Sequence, residues 1–128
     1  MGQRILLSCG KCGYRNEMSV GIGLMTGNQD VIASCLNEEE RKLWTGLCNM
    51  RKISDYRAQQ KVFYCESCRE LSCLLAVDIE TADGEKITLG ARCGKCGSPV
   101  REINLQEPIA CPNCGNANLD KRQTGFWD

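Results

Sequence analysis

The sequence contains no histidine. That absence removes imidazole acid–base catalysis, every nucleophile–histidine pair, and the commonest nitrogen ligand for transition metals. Aromatic residues are scarce as well, with two Trp, three Tyr and two Phe among 128 residues. A chain this short hides only about two-thirds of its extended surface, so with few large side chains it needs a further source of stability. Net charge is also missing, because sixteen basic and sixteen acidic side chains cancel. Strong general attraction to phosphate backbones is not expected. No apolar run approaches the roughly 20 residues that span a bilayer, and residues 1–12 lack the basic and apolar regions of a secretory signal. A soluble, cytoplasmic protein without membrane association is expected.

What the chain has in abundance is cysteine, 11 residues in all. Eight of them form four C-x-x-C pairs: Cys9 and Cys12, Cys65 and Cys68, Cys93 and Cys96, Cys111 and Cys114. Disulfides rarely persist in the cytoplasm, and repeated pairs at this spacing point to metal ligation. Two intervening residues let one tight turn offer two thiolates, and a second turn completes a tetrahedral sphere with Zn–S distances of about 2.3 Å. Four pairs therefore predict two tetrathiolate centres and two Zn²⁺ ions. Two divalent ions on eight thiolates would bring the loaded chain to a net charge of about −4. Cys35, Cys48 and Cys73 remain, on apolar stretches that suggest small buried hydrophobes.

Chain order favours Cys9, Cys12, Cys65 and Cys68 as one centre, with Cys93, Cys96, Cys111 and Cys114 as the other. The alternative joins Cys65 and Cys68 to Cys93 and Cys96 and leaves the two chain ends to meet, at a greater cost in loop entropy. In either arrangement four thiolates fill the coordination sphere. A catalytic zinc keeps a position open for water, so a structural role is expected and an enzyme is not.

The hydrophobic pattern places strands beside these pairs. Residues 4–8 and 14–20 read as strands around the first pair. Asn28 and Asn37 read as N-caps of two helices, Glu40 standing in capping-box position after Asn37. Residues 43, 44, 47 and 48 form an apolar helical face, and Met50, Ile53 and Tyr56 suggest a further helical piece to about residue 60. Residues 71–79 and 86–91 form a hairpin around Asp83-Gly84, a strong turn pair. Residues 100–105 suggest a short strand, and the aromatic tail at 125–128 is expected to dock on the body. The glycine-rich link at 21–27 lacks both the phosphate-loop and the dinucleotide-binding spacing, and reads as a plain crossing.

The C-x-x-C-G turns, clearest at Cys111-Pro112-Asn113-Cys114-Gly115, resemble zinc-ribbon and rubredoxin-type knuckles. With the later pairs and the glycine link, the chain resembles small bacterial zinc-ribbon proteins. That resemblance implies structural zinc on the eight paired cysteines and a small α+β zinc-ribbon fold with short antiparallel hairpins; it implies no particular activity. A first ribbon with a helical insertion at 28–60 would occupy residues 1–70, and a hairpin with a second ribbon residues 71–128, the two packed as one compact unit. The rubredoxin likeness at residues 9–14 and 111–115 implies iron as an alternative, from which the helical insertion and extra pairs depart.

Function then falls to the surface. The leading expectation is a protein-interaction module. A nucleic-acid or acidic-partner contact is the alternative, through Arg41, Lys42, Arg51, Lys52, Arg57 and Lys61, which stand against Asp55 alone between residues 41 and 61. A thiol-redox role is the third.

Overall fold

Two antiparallel hairpins organise the chain, and each turns at a C-x-x-C pair. The computed structural model describes residues 2–23 and 27–127. Strands β1 (Gly2–Ser8) and β2 (Arg15–Gly21) make the first hairpin, in register from Gly2 opposite Gly21 to Ser8 opposite Arg15. Period-two alternation drives it: Ile5, Leu7, Met18 and Val20 are buried while Arg4 and Glu17 face solvent.

Helices α1 (Gln29–Cys35) and α2 (Glu38–Asn49) follow, and both expected caps are present. The Asn28 side chain accepts from the N–H groups of Asp30 and Val31, and Asn37 accepts from Glu40 at 2.8 Å. The Glu40 carboxylate does not close a capping box but turns to Gly90, whose N–H it accepts at 2.9 Å. The expected helical piece at 50–60 is corrected. Helix α2 ends in a Schellman turn, with the N–H of Lys52 on Leu47 and that of Arg51 on Cys48. From Ile53 the chain is strand.

That strand, β3 (Ile53–Cys65), pairs with β4 (Glu70–Thr81) from Tyr56 opposite Ile79 to Cys65 opposite Glu70. Met50, Ile53 and Tyr56 fit a helical period, but Ala58, Val62 and Tyr64 continue an alternation whose partners across the ladder are Val77, Cys73 and Leu71. The Asp83-Gly84 turn leads as expected into β5 (Lys86–Leu89), with Val77 opposite Leu89. Two strands complete the molecule: β6 (Arg101–Glu102) on β3, and β7 (Asp120–Trp127) on β1. The sheet runs β5-β4-β3-β2-β1-β7 with β6 beside it on β3, a small α+β arrangement that is mostly antiparallel. Pairing of β3 with β4 and of β1 with β7 crosses the boundary at 70/71.

Two apolar clusters fill the structure. Ile32, Leu36 and Trp44 of the helical segment are buried against Ala58, Leu75, Val77, Ile79 and Leu89. Trp44 is only 1 % exposed, its ring edge-on to Tyr56. Leu43 and Cys35, expected on buried faces, point outward. The second cluster joins Ile5, Leu7, Met18, Val20, Val62, Leu71, Ile109 and Leu119 to Cys9 and Cys111. The aromatic tail docks as expected. A Cβ on Gly2 or Gly23 would overlap the Trp127 ring, and the indole N–H donates to the Val20 carbonyl at 3.0 Å.

Candidate metal centres

All four C-x-x-C turns share one backbone design. In each, the residue after the second cysteine donates its N–H to the carbonyl of the first: Gly13 to Cys9, Arg69 to Cys65, Gly97 to Cys93 and Gly115 to Cys111, at 2.7 to 3.1 Å. Closing the turn this way requires a positive φ at that residue. Gly13, Gly97 and Gly115 supply it at 71° to 79°, where glycine has no Cβ to strain. Arg69 adopts it at 56° without that freedom.

These turns bring the eight cysteines into two groups, Cys9, Cys12, Cys111 and Cys114, and Cys65, Cys68, Cys93 and Cys96. Within each group the four sulfurs all lie within 4.8 Å of one another. Cys9 to Cys114 and Cys12 to Cys111 measure 3.6 Å, Cys65 to Cys96 3.6 Å, and Cys68 to Cys93 3.8 Å. A tetrahedron with arms of about 2.3 Å has edges of about 3.8 Å, so the donor sets fit a four-coordinate ion. The separations are far beyond the roughly 2.05 Å of a disulfide.

The pairing favoured by chain order is thereby corrected, and the chain ends do meet. The reason lies in β6. It occupies the edge of β3 at Phe63 and Tyr64, immediately before Cys65, while among the described residues β2 is laddered to β3 at Gly21 opposite Gln60 and nowhere nearer the tips. The two hairpin tips are therefore not joined by a ladder, although the Asn16 side chain beside the first donates to the Leu71 carbonyl beside the second at 3.2 Å, and each takes its second pair of thiols from a loop.

The local field prepares the sulfurs for a cation. Backbone N–H groups of Cys12 and Lys11 hold the Cys9 thiol down to about 6. The Ser98 hydroxyl and N–H do the same for Cys96, also to about 6. The Asn113 side chain and the Tyr14 backbone lower Cys12, and the N–H groups of Cys96 and Lys95 lower Cys93. Others rise in consequence. Hydrogen bonds with Cys96 and Cys93 push Cys68 up to about 12. At Cys114 the Asn116 backbone lowers the value, but desolvation and the neighbouring thiols outweigh it, to about 12. Four sulfurs so close cannot all ionise alone; a divalent ion among them relieves that repulsion. The sulfur-directed partners Asn113, Asn116 and Ser98 were not singled out from sequence, although Ser98 and Asn116 directly follow the glycine of their knuckles; Asn113 lies between its two cysteines.

The six basic residues do not converge. Arg41 caps helix α1, donating to the carbonyls of Ala33 and Leu36 at 2.8 and 3.1 Å. Lys42 pairs with Glu38, and Arg51 and Lys52 form the turn after α2. Arg57 and Lys61 alternate with Ala58 and Val62 and so lie on the opposite face of β3 from the helices. Lys61 there pairs with Glu102 at 2.9 Å. Of the unpaired cysteines, Cys35 is exposed and Cys48 half-buried, while Cys73 donates to the Ser19 carbonyl at 2.9 Å. No helix among the described residues is long and apolar enough to cross a membrane. Comparison with protein-family models, with curated proteins and with solved structures finds no match to this chain.

Proposed function

We propose that this chain is a zinc-ribbon protein whose two tetrathiolate centres each hold one Zn²⁺ and stiffen a small sheet for contact with a protein partner. The observation that carries the reading is the pair of four-sulfur groups with near-tetrahedral edges. Zinc suits such a set because it is indifferent to redox and content with four thiolates. With all four positions taken by sulfur, the ion contributes folding energy and leaves no place for a reacting water. Cytoplasmic residence accords with eight thiols held reduced.

A protein partner is preferred over nucleic acid because the basic residues are divided between two faces and several are engaged. A cleft of 430 Å³ beside the first centre offers mixed apolar and polar walls, among them Tyr64, Ile103, Pro108, Ile109 and Pro112. Elemental analysis combined with native mass spectrometry tests the metal reading, with two zinc ions per chain expected. A red protein holding iron in place of zinc, or a folded chain that takes up no metal, would overturn it. Affinity capture with and without nuclease treatment tests the partner class, and capture lost on nuclease treatment would favour nucleic acid.

A further inference from the structure

The two centres differ in what they join. The sulfurs of the second are 31 and 25 residues apart, and its first two ligands sit at the tip of the β3–β4 hairpin. That hairpin is held by a ladder of twelve residue pairs, with buried side chains from both clusters along it. In the first centre the paired sulfurs are 105 and 99 residues apart. Cys9 directly follows β1, and β7 begins a few residues after Cys114, at Asp120 opposite Ser8. The centre therefore stands at one end of the β1–β7 ladder.

Strand β7 has little else to hold it. Its burial pattern contains no buried residue: six positions are exposed, and only Gly125 and Trp127 are half-buried. In the sheet it pairs with β1, through a ladder interrupted between Arg4 and Ile5. Lys121 ties it to the carbonyls of Leu105 and Glu107, but these belong to the same excursion that carries Cys111. Between its ends Thr124 adds one exposed hydrogen bond, to the Glu17 carboxylate at 3.4 Å; the buried or half-buried fastenings are at the two ends, the cysteine centre and Leu119 at one and Trp127 at the other.

We infer that the Cys9, Cys12, Cys111 and Cys114 centre is a metal-operated clasp for the C-terminal strand. When its ion leaves, β7 separates from β1 while the second centre and its hairpin stay folded. Separation bares the outer backbone edge of β1 and the side chains of Leu119 and Ile109, now 2 % and 3 % exposed. An open edge of this kind accepts another strand, so metal occupancy would decide whether the surface is closed or available. The inference rests on the metal reading proposed above.

Stepwise chelation of the zinc-loaded chain tests it, with native mass spectrometry counting ions and hydrogen exchange reading each strand. Among chains that keep only the ion of the second centre, amides of β1 and β7 should exchange at least tenfold faster while β3 and β4 keep their protection. The double variant Cys111→Ser, Cys114→Ser should hold one ion and show β7 open even in excess zinc, with β3 and β4 protected. The variant Cys93→Ser, Cys96→Ser should keep β7 closed. Strand β7 remaining protected in the Cys111→Ser, Cys114→Ser variant at one ion per chain, or all its strands opening together, refutes the clasp while leaving the metal reading intact. A chain that never binds an ion refutes both.

Discussion

Replacing Trp127 with alanine should destabilise the zinc-loaded chain by about 2.5 to 3.5 kcal/mol. Removal of a fully buried Trp side chain costs about 3 to 5 kcal/mol. Trp127 is half-buried at a sheet edge, so about half of that applies. The hydrogen bond from its indole N–H to the Val20 carbonyl adds about 1 kcal/mol. Little of the loss can be recovered by relaxation, because the ring lies against Gly2 and Gly23, which have no side chains to move into the space. Phe126, next in the chain but 63 % exposed, is the control, and Phe126→Ala should cost less than about 0.5 kcal/mol. Urea titration at matched zinc content reads the difference, and in a domain of this size it should also lower the melting temperature by about 10 °C. A Trp127→Ala variant within 0.5 kcal/mol of the parent, or a Phe126→Ala variant equally damaged, would refute the end-fastening of β7.

Two further outcomes follow from backbone and thiol geometry. Arg69→Gly should be neutral or stabilising by up to about 1 kcal/mol, because it removes a left-handed strain worth about 1 to 2 kcal/mol at the cost of a looser unfolded chain; Gly115→Ala should lose about 1 kcal/mol, and thermal melts compare the two. Alkylation of the zinc-loaded protein should label Cys35 first and spare Cys73, whose thiol burial pushes up to about 11. The folded chain keeps that proton where the unfolded chain releases it near 9, so the associated stability is present below pH 9 and falls as pH rises toward 11. Cys73→Ala should flatten that alkaline decline in pH-dependent urea titrations.

The features legible in sequence are those set by local chemistry. Asn28 and Asn37 were readable as caps because a short side-chain acceptor beside free helical N–H groups needs no tertiary partner. Asp83-Gly84 was readable because the turn demands its own φ. Residues 50–60 were misread because their apolar spacing fits a helix locally, whereas Ala58 and Val62 find their reason only across the ladder, at Val77 and Cys73. Strand β7 was hidden for a related reason. Its six exposed positions carry no alternation, since the strand is held by its backbone and its ends. Glu40 shows how a correct local motif can be diverted: its spacing suits a capping box, yet the Gly90 N–H is the partner it takes.

The pairing of the cysteines turns on magnitude. Closing spans of 105 and 31 residues in place of the 59 and 21 of the other pairing costs about 1 kcal/mol more, which is the whole thermodynamic case against joining the chain ends. Apolar burial of a single Leu or Ile side chain is worth about 1.5 to 3 kcal/mol, and bringing the ends together buries Ile5 and Leu7 with Ile109 and Leu119. Loop entropy is therefore the smaller effect by several-fold. What excludes the other pairing is steric: β6 lies on the β3 edge that β2 would have to follow to bring Cys9 and Cys12 to Cys65 and Cys68. Each centre is consequently built from one hairpin tip and one loop; the loop at 93–96 leads on to the two-residue β6, whereas the loop at 111–114 leads on to an eight-residue strand with nothing buried that pairs with the N-terminal strand. The same topology that joins the termini makes their joining depend on the ion.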